Sequence, residues 1–79
     1  MLENNNVETG EFEELATAVI INQISKSGLS YSEVSERLKQ IGVSETEGSL
    51  EFKINRGCFS AAFLFQVMVV IGAKELRLV

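Results

Sequence analysis

Two S-x-x-E runs stand 14 residues apart, at Ser30-Tyr31-Ser32-Glu33 and Ser44-Glu45-Thr46-Glu47, and they commit the middle of the chain to two short helices. Each has the pattern of a capping box, in which the serine hydroxyl accepts from the N3 amide and the glutamate reaches back to the N-cap amide. The first of these helices runs out at Gln40-Ile41, Gly42 turns the chain, and the second ends at Asn55-Arg56-Gly57. Two short helices joined by a glycine-bearing turn are the skeleton of a helix-turn-helix unit.

A chain of 79 residues makes one small domain, whose single core is only marginally sufficient. An apolar content of 46% and the absence of proline compensate. Cys58 is the only cysteine, so there is no disulfide framework, which fits a reducing, cytoplasmic setting. The run Met1 to Asn6 has neither a basic n-region nor an apolar h-region and does not read as a signal peptide. The most apolar stretch, Ala61 to Ala73, is 13 residues long and is broken by Gln66 and Gly72. A membrane span needs about 20 residues, so this stretch reads as a core helix and no membrane partner is expected.

The net charge of −4 is unevenly spread. Five acids (Glu3, Glu8, Glu11, Glu13 and Glu14) lie in the first 14 residues; from Leu15 onward six acids face seven bases, a net of +1. Composition therefore neither supports nor excludes a nucleic-acid partner.

Periodicity and punctuation give an all-α, four- to five-helix, helix-turn-helix-like domain over residues 10–79, behind a flexible acidic and polar tail at 1–9. The helices are expected at about 10–27, 30–41, 44–56 and 60–71, with N-caps at Thr9, Ser30, Ser44 and Ser60 and with Gly28 and Gly72 as terminators. Lys74-Glu75-Leu76-Arg77-Leu78-Val79 alternates with period two, like a short C-terminal β-strand. Phe12, Leu15, Ala16, Val19, Ile20 and Ile24 recur at helical spacing in the first helix. The second buries Tyr31, Val34, Leu38 and Ile41, and Val43, Leu50 and Ile54 serve the third. Gly48 sits inside the third helix at a cost of about 1 kcal/mol relative to alanine. Close approach to another backbone, opposite Ser35, would account for it. The fourth helix is apolar nearly all round, with Ala62, Phe63, Gln66, Val69 and Val70 on one face. If its other face packs inward, Phe63, Val69 and Val70 remain as a patch. Together with Leu76 and Leu78 they form the expected interface of a homodimer, unless the first helix covers them.

Catalysis is poorly supported. There is no histidine, which removes the commonest general base, the Cys–His pair, the usual zinc site and the Ser–His–Asp triad. Cys58 reads as a small buried hydrophobe rather than a reactive thiol. The acids from Glu8 to Glu14 lack calcium-loop spacing, and the six glycines punctuate helices rather than cradle a phosphate. No cofactor or metal is expected.

Residues 29–38, Leu29-Ser30-Tyr31-Ser32-Glu33-Val34-Ser35-Glu36-Arg37-Leu38, resemble the second helix of lambda-repressor and Cro-like domains. Ser35 stands where the two helices of that motif cross closely, Gly42-Val43-Ser44 resembles its turn, and Ile54-Asn55-Arg56-Gly57 its exit. Lys39 and Gln40 are about two extra residues before the turn, and the third helix is slightly long. A closer likeness is to an uncharacterised bacterial family of small domains, a domain of unknown function. It rests on Tyr31…Leu38, Ile41-Gly42-Val43, Glu45-Thr46-Glu47, Leu50, Lys53-Ile54, Arg56-Gly57, Phe59, Ala61-Ala62-Phe63, Ile71-Gly72 and Leu76-Arg77-Leu78, and covers roughly residues 12–79. The resemblance implies a helix-turn-helix-like fold and no established activity. Phe52 and Cys58 stand where that pattern calls for polar residues, which suits a private interface.

The expected function is a small double-stranded-DNA-binding protein, a dimeric transcriptional regulator. Lys53, Arg56, Arg37 and Lys39 would lie on phosphates, and Thr46, Ser49 and Ser32 would read bases. The helix from Glu45 to Arg56 carries three acids against two bases, which weighs against a groove reader. The alternative is a non-catalytic adaptor that uses the same fold to bind a protein partner.

Overall fold

Four helices account for most of the described chain: α1 (Asn5–Ser27), α2 (Tyr31–Gln40), α3 (Glu47–Arg56) and α4 (Ala61–Ile71). The computed structural model describes residues 5–76, with side chains from residue 10 on. The capping box at α2 closes in both directions. Ser30 Oγ accepts from the Glu33 amide at 3.1 Å, and Glu33 Oε1 accepts from the Ser30 amide at 2.8 Å. Ser60 caps α4 by accepting from the Phe63 amide at 3.0 Å. Gly28 and Gly72 follow α1 and α4 with φ of 77° and 75°, the left-handed conformation that ends a helix.

Two helix starts differ from expectation. α3 is capped by Thr46, not Ser44: Thr46 Oγ1 accepts from the Ser49 amide at 3.0 Å. Hydroxyls at 44 and 46 compete, and the later one prevails because Glu45 is engaged across the fold. Its backbone carbonyl accepts from the Ser35 hydroxyl, and its carboxylate takes both Lys53 and the Ser49 hydroxyl. α1 begins at Asn5, so Thr9 lies inside it instead of capping it. The sequence from Asn5 to Glu11 holds no stop signal except Gly10, whose cost of about 1 kcal/mol does not break a long helix.

The core is built from pairs one turn apart. Val34 and Leu38 of α2 and Leu50 and Ile54 of α3 are fully buried against Ile20 and Ile24 of α1 and Phe63, Val67 and Val70 of α4. Each such side chain contributes about 1.5–3 kcal/mol of burial. α1 and α2 both pack against α3 and α4. Two long-range hydrogen bonds tie the layers: Thr17 Oγ1 donates to the Ile54 carbonyl (2.6 Å) and Arg37 Nη1 to the Val70 carbonyl (2.9 Å).

Ile41 is half exposed instead of buried, because α2 has ended and Ile41 is its C-cap residue. Gly48 has open space where a Cβ would stand, so no backbone approaches it. The close approach occurs at Gly57, whose missing Cβ leaves room for the Glu13 backbone. α4 is also turned the other way. Phe63 (4% exposed) and Val70 (8%) are core, and of the expected dimer patch on α4 only Val69 faces solvent, beside Phe65. Phe63, Val67 and Val70 fall within about 60° of one another on the helical wheel, with Leu64 and Ile71 on their flank. That side offers more apolar area to bury than the side carrying Ala61 and Ala62. Among the described residues no strand forms: Ala73–Leu76 are irregular, Leu76 is exposed, and Leu78 lies outside the described residues. No helix among them is long and apolar enough to cross a membrane.

Candidate interaction face on the third and fourth helices

The outward side of α3 is set by its buried pair. With Leu50 and Ile54 inside, Gly48, Glu51, Phe52, Asn55 and Arg56 must face out. Phe52, at the centre of that face, is 61% exposed. The Arg56 guanidinium lies over its ring, with Cζ 5.4 Å from the centroid, an exposed cation–π contact worth about 0.5–1 kcal/mol. Glu47 in the first turn and Glu51 one turn on make the approach to this helix acidic. Burial, with Glu51 nearby, pushes the Tyr31 hydroxyl above its ordinary pKa, so it stays a neutral phenol at the α2–α3 seam beside the Glu51 charge.

Ser49 and Lys53, predicted as a base reader and a phosphate contact, are brought together on one acid of their own chain, while Thr46, the other predicted reader on α3, serves as the helix's N-cap. The Ser49 hydroxyl donates to Glu45 Oε1 (2.7 Å), and the Lys53 ammonium pairs with Glu45 Oε2 and lies 5.3 Å from the Phe63 ring centroid. Burial alone would raise the Glu45 pKa; the hydrogen bonds from Lys53 and Ser49 and the Lys53 charge outweigh it and hold it below its ordinary value. Arg37 is committed to the Val70 carbonyl at the end of α4. Ser32 and Lys39 are exposed on α2, apart from that cluster. The seven predicted DNA-contacting residues therefore do not form one basic stripe.

Beside this face, between the end of α3 and the start of α4, lies a cleft of about 370 Å³ lined by Phe52, Lys53, Arg56, Cys58, Phe59 and Phe63. Phe59 and Phe63 pack at 5.4 Å between centroids. Cys58 is exposed rather than a buried hydrophobe, because it follows Gly57 on the surface loop, and its thiol donates to Glu13 Oε2 (2.9 Å). That hydrogen bond, with some desolvation and the Glu13 charge, raises the thiol pKa against the opposing pull of Arg56. A second cleft, about 290 Å³ and almost wholly apolar, runs between α1 and α4, where Phe12, Leu15, Leu64 and Leu76 meet.

Phe52 and Glu45 carry the geometry of the face, yet neither was a sequence-predicted contact. Phe52 had a signal, its departure from the polar pattern; Glu45 had none, since its partner Lys53 is two helical turns away. Among the described residues no cluster of metal-ligating side chains forms. The model of a family described as a domain of unknown function (DUF6471) matches residues 12–76. No curated protein and no solved structure matches the chain.

Proposed function

Since the chain belongs to the DUF6471 family, whose description carries no activity, we propose from the geometry that it is a non-catalytic protein-binding module whose contact face is the outer side of α3 with the adjoining cleft. The observation that carries this reading is Phe52, exposed in the middle of α3 with Arg56 laid on it, while Lys53 and Arg37 are used inside the molecule. An aromatic ring with an arginine beside it, rimmed by polar residues, is the usual composition of a protein-binding hot spot. A duplex would meet Glu47 and Glu51 first, and charges of that sign oppose phosphate contact.

The second reading, a double-stranded-DNA regulator, is favoured by one specific feature. α2 and α3 are joined through residues 41–46 and tied by the Ser35 hydroxyl to the Glu45 carbonyl, a helix-turn-helix-like arrangement that leaves Ser32 and Lys39 exposed. The two readings separate in one experiment. Phe52→p-benzoylphenylalanine is irradiated in cells, with the same photoreactive group at exposed Ala18 of α1 as the control. Discrete, nuclease-resistant protein adducts confined to position 52 are expected. Nuclease-sensitive adducts, together with retention of random duplexes that is lost in a Lys53→Ala, Arg56→Ala variant, would overturn the protein-binding reading.

A further inference from the structure

We propose that the partner for this face is a second copy of the chain, which inserts the Glu11–Leu15 stretch of its α1 into the α3–α4 cleft; this rests on the reading of that face as a protein-binding surface. Three observations on different elements converge. Glu11, Phe12 and Leu15 share one face of α1, at spacings of i, i+1 and i+4, and all three are exposed, Phe12 by 67%. That is an apolar ring with a carboxylate at its side. The cleft offers the complement: the rings of Phe52 and Phe59 with the Arg56 cation, lined also by the buried Phe63 and by Lys53, whose charge Glu45 already meets. Its volume of about 370 Å³ lies at the small end of the range for binding pockets, suited to one large side chain and its immediate flanks.

Among the described residues, none fills the cleft from within the same chain. Phe12 of α1 turns instead toward Leu64 and Leu76, on the α4 side. Yet donor and acceptor are neighbours on one surface. Glu13 accepts from Cys58, and its backbone lies against Gly57, so the Glu11–Leu15 stretch of α1 borders the cleft. A surface that carries both halves of a complementary pair side by side can close on a copy of itself around a two-fold axis, each residue meeting its counterpart twice. The two-fold then sets Glu11 of each copy against Arg56 of the other. The contact uses neither Phe63 nor Val70 as a surface group, as their burial requires.

A trans charge swap tests the proposal. Arg56→Glu and Glu11→Lys are both exposed substitutions; in its own chain Arg56 shares a cleft with Glu13 and Glu14, and Glu11 does not line that cleft. Sedimentation over a wide concentration range should show a concentration-dependent, salt-weakened dimer for the parent. Each variant alone should associate at least tenfold more weakly. An equimolar mixture of the two should recover parental association, because every cross-copy contact again joins opposite charges. A purely intrachain role for either residue cannot produce that recovery. A parent that stays monomeric, single variants that dimerise like the parent, or a mixture that fails to recover would each overturn the proposal. The position-52 adduct decides the rest. A product of twice the chain mass, linked to the peptide around Glu11–Leu15, supports self-association. An adduct with a different protein overturns self-association and leaves the protein-binding reading standing, and an adduct with nucleic acid overturns both.

Discussion

Gly57→Ala should be among the most damaging single-methyl changes this chain can receive, and Gly72→Ala is its internal control. Both glycines end a helix in the left-handed region, with φ of 69° and 75°. An L-residue there is strained by about 1–2 kcal/mol, so that part of the cost is shared. Their surroundings differ. At Gly72 an added Cβ meets nothing within 4 Å. At Gly57 it would lie 2.7 Å from the Glu13 carbonyl carbon and closer still to its oxygen, where ordinary contact begins at 3.4 Å. The obstacle is backbone inside a 23-residue helix, so no rotamer change can relieve it. Because the oxygen sets the limit, α1 must retreat by about 1 Å or more from the end of α3. One turn along the same seam, Thr17 donates to the Ile54 carbonyl at 2.6 Å, and a retreat of that size stretches the bond beyond useful length, a loss of about 1 kcal/mol. With the loosened packing of Ile20, Gly57→Ala should cost about 3–4 kcal/mol and Gly72→Ala about 1–2. Each kcal/mol moves the melting temperature of so small a domain by about 4–8 °C, so the two variants should be separated by about 10 °C. Urea denaturation with unchanged m-values gives the same gap in free energy. Equal losses in the two variants would show that the Glu13 backbone yields freely and would refute the steric half of the reasoning.

Three further outcomes follow from the caps and the titrating groups. Thr46→Ala should destabilise by about 1 kcal/mol in thermal or chemical melts, while Ser44→Ala, two residues earlier, should change little; the reverse ranking would put the start of α3 back at Ser44. Glu45 has a folded pKa below its unfolded value, so its contribution is present above the unfolded value and lost as pH falls through the folded one. Stability should therefore drop on acidification through the carboxylate range, with a shallower drop in Glu45→Gln when the two are compared by urea midpoints across pH. The Cys58 thiol, held up by Glu13, should react with iodoacetamide at a lower half-maximal pH in Glu13→Gln than in the parent; identical pH–rate profiles would remove that hydrogen bond from solution.

What could be read from the sequence was what is local. Ser30 and Glu33 are three residues apart and need nothing else to form their box, and Ser60, Gly28 and Gly72 are likewise self-sufficient signals. Leu50 and Ile54, or Val34 and Leu38, announce a buried stripe by spacing alone. The misread elements each depend on a distant partner. Ser44 loses the cap to Thr46 because Ser35 and Lys53, on other turns of the fold, claim Glu45. α4 is apolar on every side, so its wheel cannot say which face is inward; Val34, Leu38 and Ile54 decide that Phe63 and Val70 are core and Val69 is not. The surroundings of the candidate site residues depend on distant partners too. Arg37, Lys53 and Arg56 look alike as cations in the sequence, and only the fold shows that a carbonyl, a carboxylate and an aromatic ring already hold them.

Thr17 and Arg37 share a habit: each satisfies a carbonyl near the C-terminal end of a helix to which it does not belong, Ile54 in α3 and Val70 in α4. Carbonyls in the last turn of a helix have no acceptor role left within it and are ordinarily met by water or by the chain that follows. Here the Ile54 carbonyl, which already accepts from the Gly57 amide, takes a second bond from α1, and α2 meets the Val70 carbonyl. Fraying of either end then also breaks a side-chain bond to a helix that precedes it in the sequence. The usual gradient of hydrogen exchange, fast at helix ends and slow in the middle, should be flattened toward the Arg56 and Ile71 ends, with amides there opening only together with the whole domain. A 79-residue chain with so small a core is expected, with such ties between its helices, to unfold in a single transition in place of a ladder of partial ones.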